Sequence, residues 1–510
     1  MRQHVQWAAP FLIALHLPLF MFATNVHAFL FQEVYTTGLA VMLIATAVTI
    51  GAYRITGDRG RSVSLAAGVV AWCSWYGIFS YALALYLHVG PFAGGRVTAA
   101  LIPWSAFWAL YAVFVLRARS FNVAASGWLL ASLVLIAQPL GALGVFAIRQ
   151  PHSSVPLPAP VALRAPARPP DIIHVIFDRY ASDAVLRTDY RFDNSTLTRE
   201  LRARGFVVAE HSQANYFKTA LSLASTLNYM YLNDRFAGLE ASADWRPVYR
   251  LLDEHSVWRS LKPLGYEYVH VGSWWEPTRH NSQATVNRSY APIPHFAHWL
   301  YRNTPFSDLG VSAGGMLDAR REQWKRIHAQ LKDLERIRAR ERPRFVFVHF
   351  LLPHDPYVFG PNGEFLPEDV VKMRTASENY VNHIRFANVV MLHVVDHLLQ
   401  DSSKPKPIVI VQADEGPLPA RYDADMLGFD WRQATPEELR QKFGILNAMF
   451  LPEATGRGVY PGISPVNTYR MLFNEYFGTR LEMLPDRSYV SVGERHPYRF
   501  IDVTPVVNAG

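Results

Sequence analysis

KPIVIVQAD, residues 406–414, runs straight into Glu415, Gly416 and Pro417. The β-branched run reads as a buried strand, and the acidic pair followed by Gly-Pro marks its abrupt end. A strand that delivers two adjacent carboxylates at its tip has two readings at this point, a charged turn or a metal site. The neighbouring segments bear on the choice. IIHVIF (172–177) reads as a strand ending at Asp178, and YEYVHVGS (266–273) and RFVFVHFLLP (344–353) read as two more. Helical patterns lie between them: STLTRELRARG (195–205) opens on Ser195 and stops at Gly205, and the charged run 317–342 reads as a solvated helix. Strands alternating with helices predict an α/β domain with a largely parallel central sheet, whose ligands bind beyond the carboxyl ends of the strands. Asp178, Asp414 and Glu415 all sit at such ends, so two sequence-distant strands can bring three carboxylates to one rim.

A further segment, NYFKTALSLASTLNYMYLN (215–233), reads as a helix with Thr219 in its first turn. A threonine there can simply cap the helix. Alternatively, the helix N-terminus and a nearby cation lower the cost of forming its alkoxide and stabilise an anionic substrate.

Residues 1–150 have a different texture. Charges are confined to short clusters, leaving uncharged stretches at roughly 7–31, 36–53, 62–88, 97–116 and 121–148. Each approaches the ~20 residues that cross about 30 Å of hydrocarbon, so five membrane helices are expected. A soluble helical bundle would carry a polar face on each helix, and these stretches do not. Arg2, Arg54, Arg59, Arg61, Arg117 and Arg119 all fall on one side of this arrangement, against Glu33 and Arg96 on the other. The positive-inside rule then predicts a cytoplasmic N-terminus and places everything beyond residue 150 outside the cytoplasm. The Pro/Ala-rich stretch 151–170 reads as a semi-rigid linker, and 171–510 as the outer domain.

Composition agrees with a membrane portion: 50% of the 510 residues are hydrophobic and 18% charged. The net charge of +8 comes without a Lys/Arg block, which argues against a nucleic-acid partner. The single cysteine, Cys73, excludes an internal disulfide and a cysteine-based zinc cluster.

Taken in order, Asp178 after a strand, Thr219 at a helix start, His354 in LLPHDPY and the acidic pair in QADEGP resemble the alkaline phosphatase and sulfatase superfamily. The likeness is to its membrane-anchored members, the lipoteichoic acid synthases and lipid A phosphoethanolamine transferases, which join five membrane helices to an extracytoplasmic catalytic domain. It implies an alkaline-phosphatase-like α/β/α sandwich, a metal held by Asp178, Thr219, Asp414 and Glu415, and Thr219 as nucleophile. His354 would then donate a proton to the leaving group or bind phosphate, and Lys218, Trp275 and His280 would contact substrate. Sulfatases proper use a modified Cys or Ser within C/S-x-P-x-R, and nothing of that kind surrounds Thr219. Phosphoryl-type transfer is therefore expected rather than sulfate-ester hydrolysis. The relatives' usual strand-end pair is Asp-His, whereas here it is Asp414-Glu415. An all-oxygen donor set favours manganese or magnesium over zinc.

The resemblance implies a bacterial inner-membrane enzyme that moves a phosphoethanolamine or phosphoglycerol head group from a phospholipid donor to an envelope glycan or lipid. Two alternatives stay open: a phosphodiesterase or phosphatase whose acceptor is water, and a non-catalytic membrane scaffold with a decayed site.

Overall fold

The computed structural model describes residues 4–26, 31–86, 100–118, 121–149, 155–290, 292–311, 317–337, 342–400, 406–426, 428–453, 458–493 and 495–509. The chain forms two compact units, one of residues 1–153 with 292–319, the other of 154–291 with 320–510.

The first unit consists of apolar helices α1 (Ala8–Thr24), α2 (Phe31–Thr56), α3 (Arg59–Ser74), α4 (Tyr76–Tyr86), α5 (Leu101–Arg117) and α6 (Asn122–Arg149). Among the described residues, three spans are long and apolar enough to cross a membrane: Val5–Thr24, Phe31–Thr56 and Asn122–Ile148. The expected third span is a pair, α3 and α4, bent by 46°, and it makes a fourth crossing if the pair is counted as one. The expected fourth is α5, a shorter apolar helix. The described residues thus give three to four long apolar spans and one shorter apolar helix where five crossings were expected. Expected span ends at His88 and Val97, and the start of the linker, lie outside the described residues. Gly77 N–H donates to Asn303 O at 3.0 Å instead of to its own helix, and a Cβ on Gly77 would come within 2.6 Å of the Asn303 side chain. Only glycine permits that approach.

Residues 292–319, read from the sequence as part of the outer domain, belong to this first unit. The reason is apolar burial. Helix His295–Arg302 packs Phe296 and Leu300 against Leu17, Met21, Phe22 and Val34, and Glu33 Oε1 accepts from His295 N–H at 3.1 Å.

The second unit is built on a seven-stranded sheet: β1 (Ile172–Phe177), β2 (Val207–Val208), β3 (Glu267–Val271), β4 (Val286–Arg288), β5 (Arg344–Phe350), β6 (Ile408–Gln412) and β7 (Asn447–Phe450). The spatial order is β2-β7-β6-β1-β5-β3-β4. Strands β6, β1, β5, β3 and β4 are mutually parallel, and β7 runs antiparallel to β6. Every residue of β1, β5 and β6 is buried, so both faces of the sheet centre are covered, as parallel strands require. Residues from the Pro/Ala-rich stretch lie against this unit: Val161 N–H bonds Ser260 Oγ at 3.0 Å, and Arg164 N–H bonds Phe477 O at 3.0 Å. Short helices α7 (Asp183–Asp189), α8 (Ser195–Ala203) and α9 (Thr219–Leu227) follow β1, and α9 carries the threonine singled out above.

Candidate metal and catalytic centre

The register of the central strands brings the chemistry together. Ile176 of β1 pairs with His349 of β5 on one side and with Gln412 of β6 on the other. Asp178 follows two residues after Ile176, and Asp414 two after Gln412, so both carboxylates and the His349 imidazole emerge at the same end of parallel neighbours. Asp178 N–H extends the ladder by bonding Phe350 O at 2.9 Å. Asp178, His349 and Asp414 each place one ligand atom within 4.8 Å of the others, and all three are buried.

Polar satisfaction tests whether a cation fits. Asp178 Oδ1, Asp414 Oδ2 and His349 Nε2 are buried without hydrogen-bond partners. Leaving such atoms dry costs roughly 1–3 kcal/mol each, more for charged groups. His349 Nε2 lies 3.4 Å from Asp178 Oδ2, too distant for a good hydrogen bond and well suited to two ligands of one ion. Electrostatics point the same way. Burial, then the neighbouring Asp178 and Glu415 charges, hold the Asp414 carboxyl well above its ordinary value. Burial also acts to raise Asp178, but His354, His349 and Arg179 outweigh it and hold that carboxyl down at about 2. Two carboxylates pushed apart in this way share a site that a divalent cation neutralises. These residues therefore fit a divalent metal site.

Thr219 is the first residue of α9, close enough to Asp414 for its side chain to oppose the rise of that carboxyl. Ser222 Oγ donates to Asp414 O at 2.6 Å, tying the first turn of α9 to the tip of β6. Arg179 takes a left-handed backbone, φ 63°, immediately after β1. A non-glycine residue there is strained, and it is held because Arg179 N–H reaches Asp414 Oδ1 at 3.2 Å while Tyr380 OH donates to Arg179 O at 2.8 Å. The guanidinium then bonds Asp355 Oδ1 at 2.8 Å and Glu415 Oε1 at 3.3 Å.

Glu415, expected beside Asp178, Thr219 and Asp414, is not one of the three clustered residues, yet its Oε2 is likewise buried without a partner. Its Oε1 forms a buried ion pair with Lys442 Nζ at 2.9 Å. Burial lowers the Lys442 ammonium to about 8, against the opposing pull of Glu415. A donor set drawn from this cluster would not be all oxygen, because the His349 imidazole offers a nitrogen.

The family model described as Sulfatase matches residues 170–441, more than half of the chain and every residue of the cluster. The chain belongs to the sulfatase family. It is an enzyme of the sulfatase-like kind, with apolar N-terminal helices and an α/β domain on a mostly parallel sheet. Among curated proteins no sequence matches it. Solved structures similar to it include the zinc-bound C-terminal periplasmic domain of EcEptC from Escherichia coli, at 13% identity and TM-score 0.45, covering 68% of this chain and 96% of that one. The integral membrane lipooligosaccharide phosphoethanolamine transferase A (EptA) of Neisseria meningitidis aligns at 13% identity and TM-score 0.39, over 92% of this chain and 95% of that one. The putative sulfatase yidJ of Bacteroides fragilis aligns at 12% identity and TM-score 0.31, over 63% and 81%.

Other expected site residues of this sulfatase-family enzyme surround the cluster at different depths. His354 follows β5, with Nδ1 3.2 Å from Asp355 Oδ1 and its ring edge-on to Trp274. The loop that carries it is pinned by His383, whose Nε2 accepts from Val358 N–H at 2.8 Å and from Phe359 N–H at 3.0 Å. Lys218 precedes Thr219 and places its ammonium 5.1 Å from the Tyr422 ring centre. Trp275 packs edge-on against His349, ring centres 6.2 Å apart, and so walls the site. His280 caps the C-terminus of helix Glu276–Arg279 and is exposed, with no contact to the cluster among the interactions described. Sequence reasoning passed over His349, Arg179 and Lys442. His349 did carry a signal, being the one polar residue in the apolar run FVFVHFLLP (345–353).

Proposed function

We propose that the chain is a membrane-bound, metal-dependent phospho-head-group transferase that works through Thr219. The observation that carries this reading is the placement of Thr219 at the N-terminus of α9, whose first turn Ser222 ties to Asp414, beside the buried Asp178–His349–Asp414 group. Those three side chains would hold the ion, which supplies Lewis-acid stabilisation and a lowered pKa for the Thr219 hydroxyl. His349 changes the premise on which manganese or magnesium was expected. A mixed nitrogen and oxygen set puts zinc ahead of manganese and manganese ahead of magnesium.

Thr219 Oγ, its proton given up to solvent before attack and regained when the residue is freed, attacks the phosphorus of a phospholipid head group, of phosphoethanolamine or phosphoglycerol type. The bond from phosphorus to the lipid oxygen breaks, and His354 gives that oxygen its proton. An acceptor hydroxyl of an envelope lipid or glycan then attacks the phosphothreonine, returns a proton to His354 and frees Thr219. Arg179, fixed between Asp355 and Glu415, presents positive charge beside the reacting phosphoryl group. The arginine clusters at the α2–α3 turn and at the end of α5 support an orientation with the second unit outside the cytoplasm, in the inner membrane.

The test incubates the detergent-solubilised full chain with phospholipids labelled in the head group. Diacylglycerol release and a head-group phosphate on Thr219, read by peptide mass spectrometry, are the expected results. Diacylglycerol release with no adduct at Thr219 would overturn the nucleophile, and adduct turnover to water alone would convert the reading to a hydrolase.

A further inference from the structure

Behind the strand tips runs a line of buried polar side chains whose hydrogen bonds have one consistent direction. His255 Nδ1 accepts from Trp258 N–H at 3.1 Å, so the neutral ring carries its proton on Nε2, 3.3 Å from Tyr268 OH. The phenol then donates to His270 Nδ1 at 3.3 Å. That leaves the His270 proton on Nε2, which donates to Thr278 O at 2.8 Å. Both rings are held neutral, because burial lowers His255 to about 3 and His270 to about 4. Thr278 is thereby pinned by its carbonyl.

Its hydroxyl faces the metal cluster. Thr278 Oγ1 lies 2.7 Å from His349 Nδ1 and 2.9 Å from Ser273 Oγ. Ser273 Oγ accepts from Trp275 N–H at 3.0 Å and directs its own proton to Trp275 O at 3.4 Å. With the serine proton on Trp275 O, the serine oxygen can accept the Thr278 proton, and the Thr278 oxygen can accept from His349 Nδ1–H. The lone pair of the imidazole then sits on Nε2, which has no hydrogen-bond partner and stands among the ligand atoms of Asp178 and Asp414.

We propose that Thr278, held by the His255–Tyr268–His270 line and by Ser273, is a positioning residue that fixes His349 in the tautomer able to ligate a metal through Nε2. The inference rests on the reading of the Asp178–His349–Asp414 group as a metal site and adds the groups that make its nitrogen a donor. Partners of this kind typically contribute 10–100-fold in metal affinity.

Zinc affinity of the solubilised full chain, measured by competition with a chelating dye, tests it without reference to turnover. Thr278→Val is expected to weaken zinc binding by roughly 10–100-fold, and Thr278→Ser, which keeps the hydroxyl, to restore it to within about threefold. His349→Ala should weaken binding at least as much, and adding Thr278→Val to His349→Ala should change nothing further, since the threonine acts only through the imidazole. Ser273→Ala, which leaves the Thr278 side chain in place, should weaken binding more mildly and serves where Thr278→Val does not fold. Wild-type affinity in Thr278→Val, or in Ser273→Ala where that variant stands in for it, overturns the inference, as does an equal loss from Thr278→Val with and without His349. Wild-type protein that binds no zinc would instead remove the metal reading itself, whereas a Thr219→Ala variant that still transfers head groups would leave the zinc result untouched.

Discussion

Two sets of buried polar groups lie side by side in the second unit and obey opposite rules. In the His255–Tyr268–His270–Thr278 line each member described above finds its partner within the protein. At the strand tips, Asp178, Asp414 and His349 are equally buried, yet each keeps an atom without a partner. A satisfied buried network rigidifies its surroundings, whereas an unsatisfied one is a standing cost until something binds. The protein places the first directly behind the second, so that rigid groups aim the strained ones.

The sharpest way to break that contrast is chemical. Thr219→Ala should leave the fold intact and reduce transfer by roughly three orders of magnitude or more, because the covalent step has no substitute. Thr219→Ser should keep measurable turnover. Labelled-lipid assays at matched protein and metal concentration check both.

Next in size is the Glu415–Lys442 pair, which borders the tips and is joined by a buried ion pair, although Glu415 Oε2 itself has no partner. Glu415→Gln leaves Lys442 buried without its counter-charge and should cost about 3–5 kcal/mol, whereas Glu415→Gln combined with Lys442→Met should recover most of it. Urea denaturation of the metal-free protein gives the numbers. A Glu415→Gln variant with unchanged stability and abolished zinc binding would return Glu415 to the ligand set.

Acidity separates the two sets again. Both network imidazoles are lowered, so below pH 6.5 the unfolded chain takes up protons that the folded chain refuses until about pH 3–4. Stability is complete above pH 6.5 and falls as pH drops, by about 1.4 kcal/mol per histidine per unit once well below that value. Melting temperatures of the metal-free protein at pH 7.5, 6.0 and 5.0 should decline increasingly steeply, and His270→Phe should flatten the decline.

The smallest effects carry the contrast in their signs. Tyr268→Phe removes two satisfied bonds, to His255 and to His270, and should cost about 1–3 kcal/mol, with or without metal. Asp414→Asn removes one of two repelling carboxylates. It should leave the metal-free protein as stable or more stable by about 1 kcal/mol, while zinc no longer raises its melting temperature. Paired melts with chelator and with zinc decide whether the signs differ.

What the sequence determined by itself is what local pattern can carry. Apolar runs without a polar face made membrane helices legible. The punctuation after IIHVIF and KPIVIVQAD placed Asp178 and Asp414 at strand ends, and the start of α9 at Thr219 was equally local. The sheet order decided the rest. His349 joins Asp178 only because β5 pairs with β1, and Glu415 meets Lys442 only because the chain after β6 returns past helix Pro436–Phe443. Residues 292–319 changed units for a similar reason, since Phe296 and Leu300 find apolar partners on α1 and α2 that no local pattern specifies. Strand ends and helix starts follow from short-range backbone preferences, whereas the partner of a buried charge or an imidazole is set by which distant segments pack together, and only the tertiary structure fixes that.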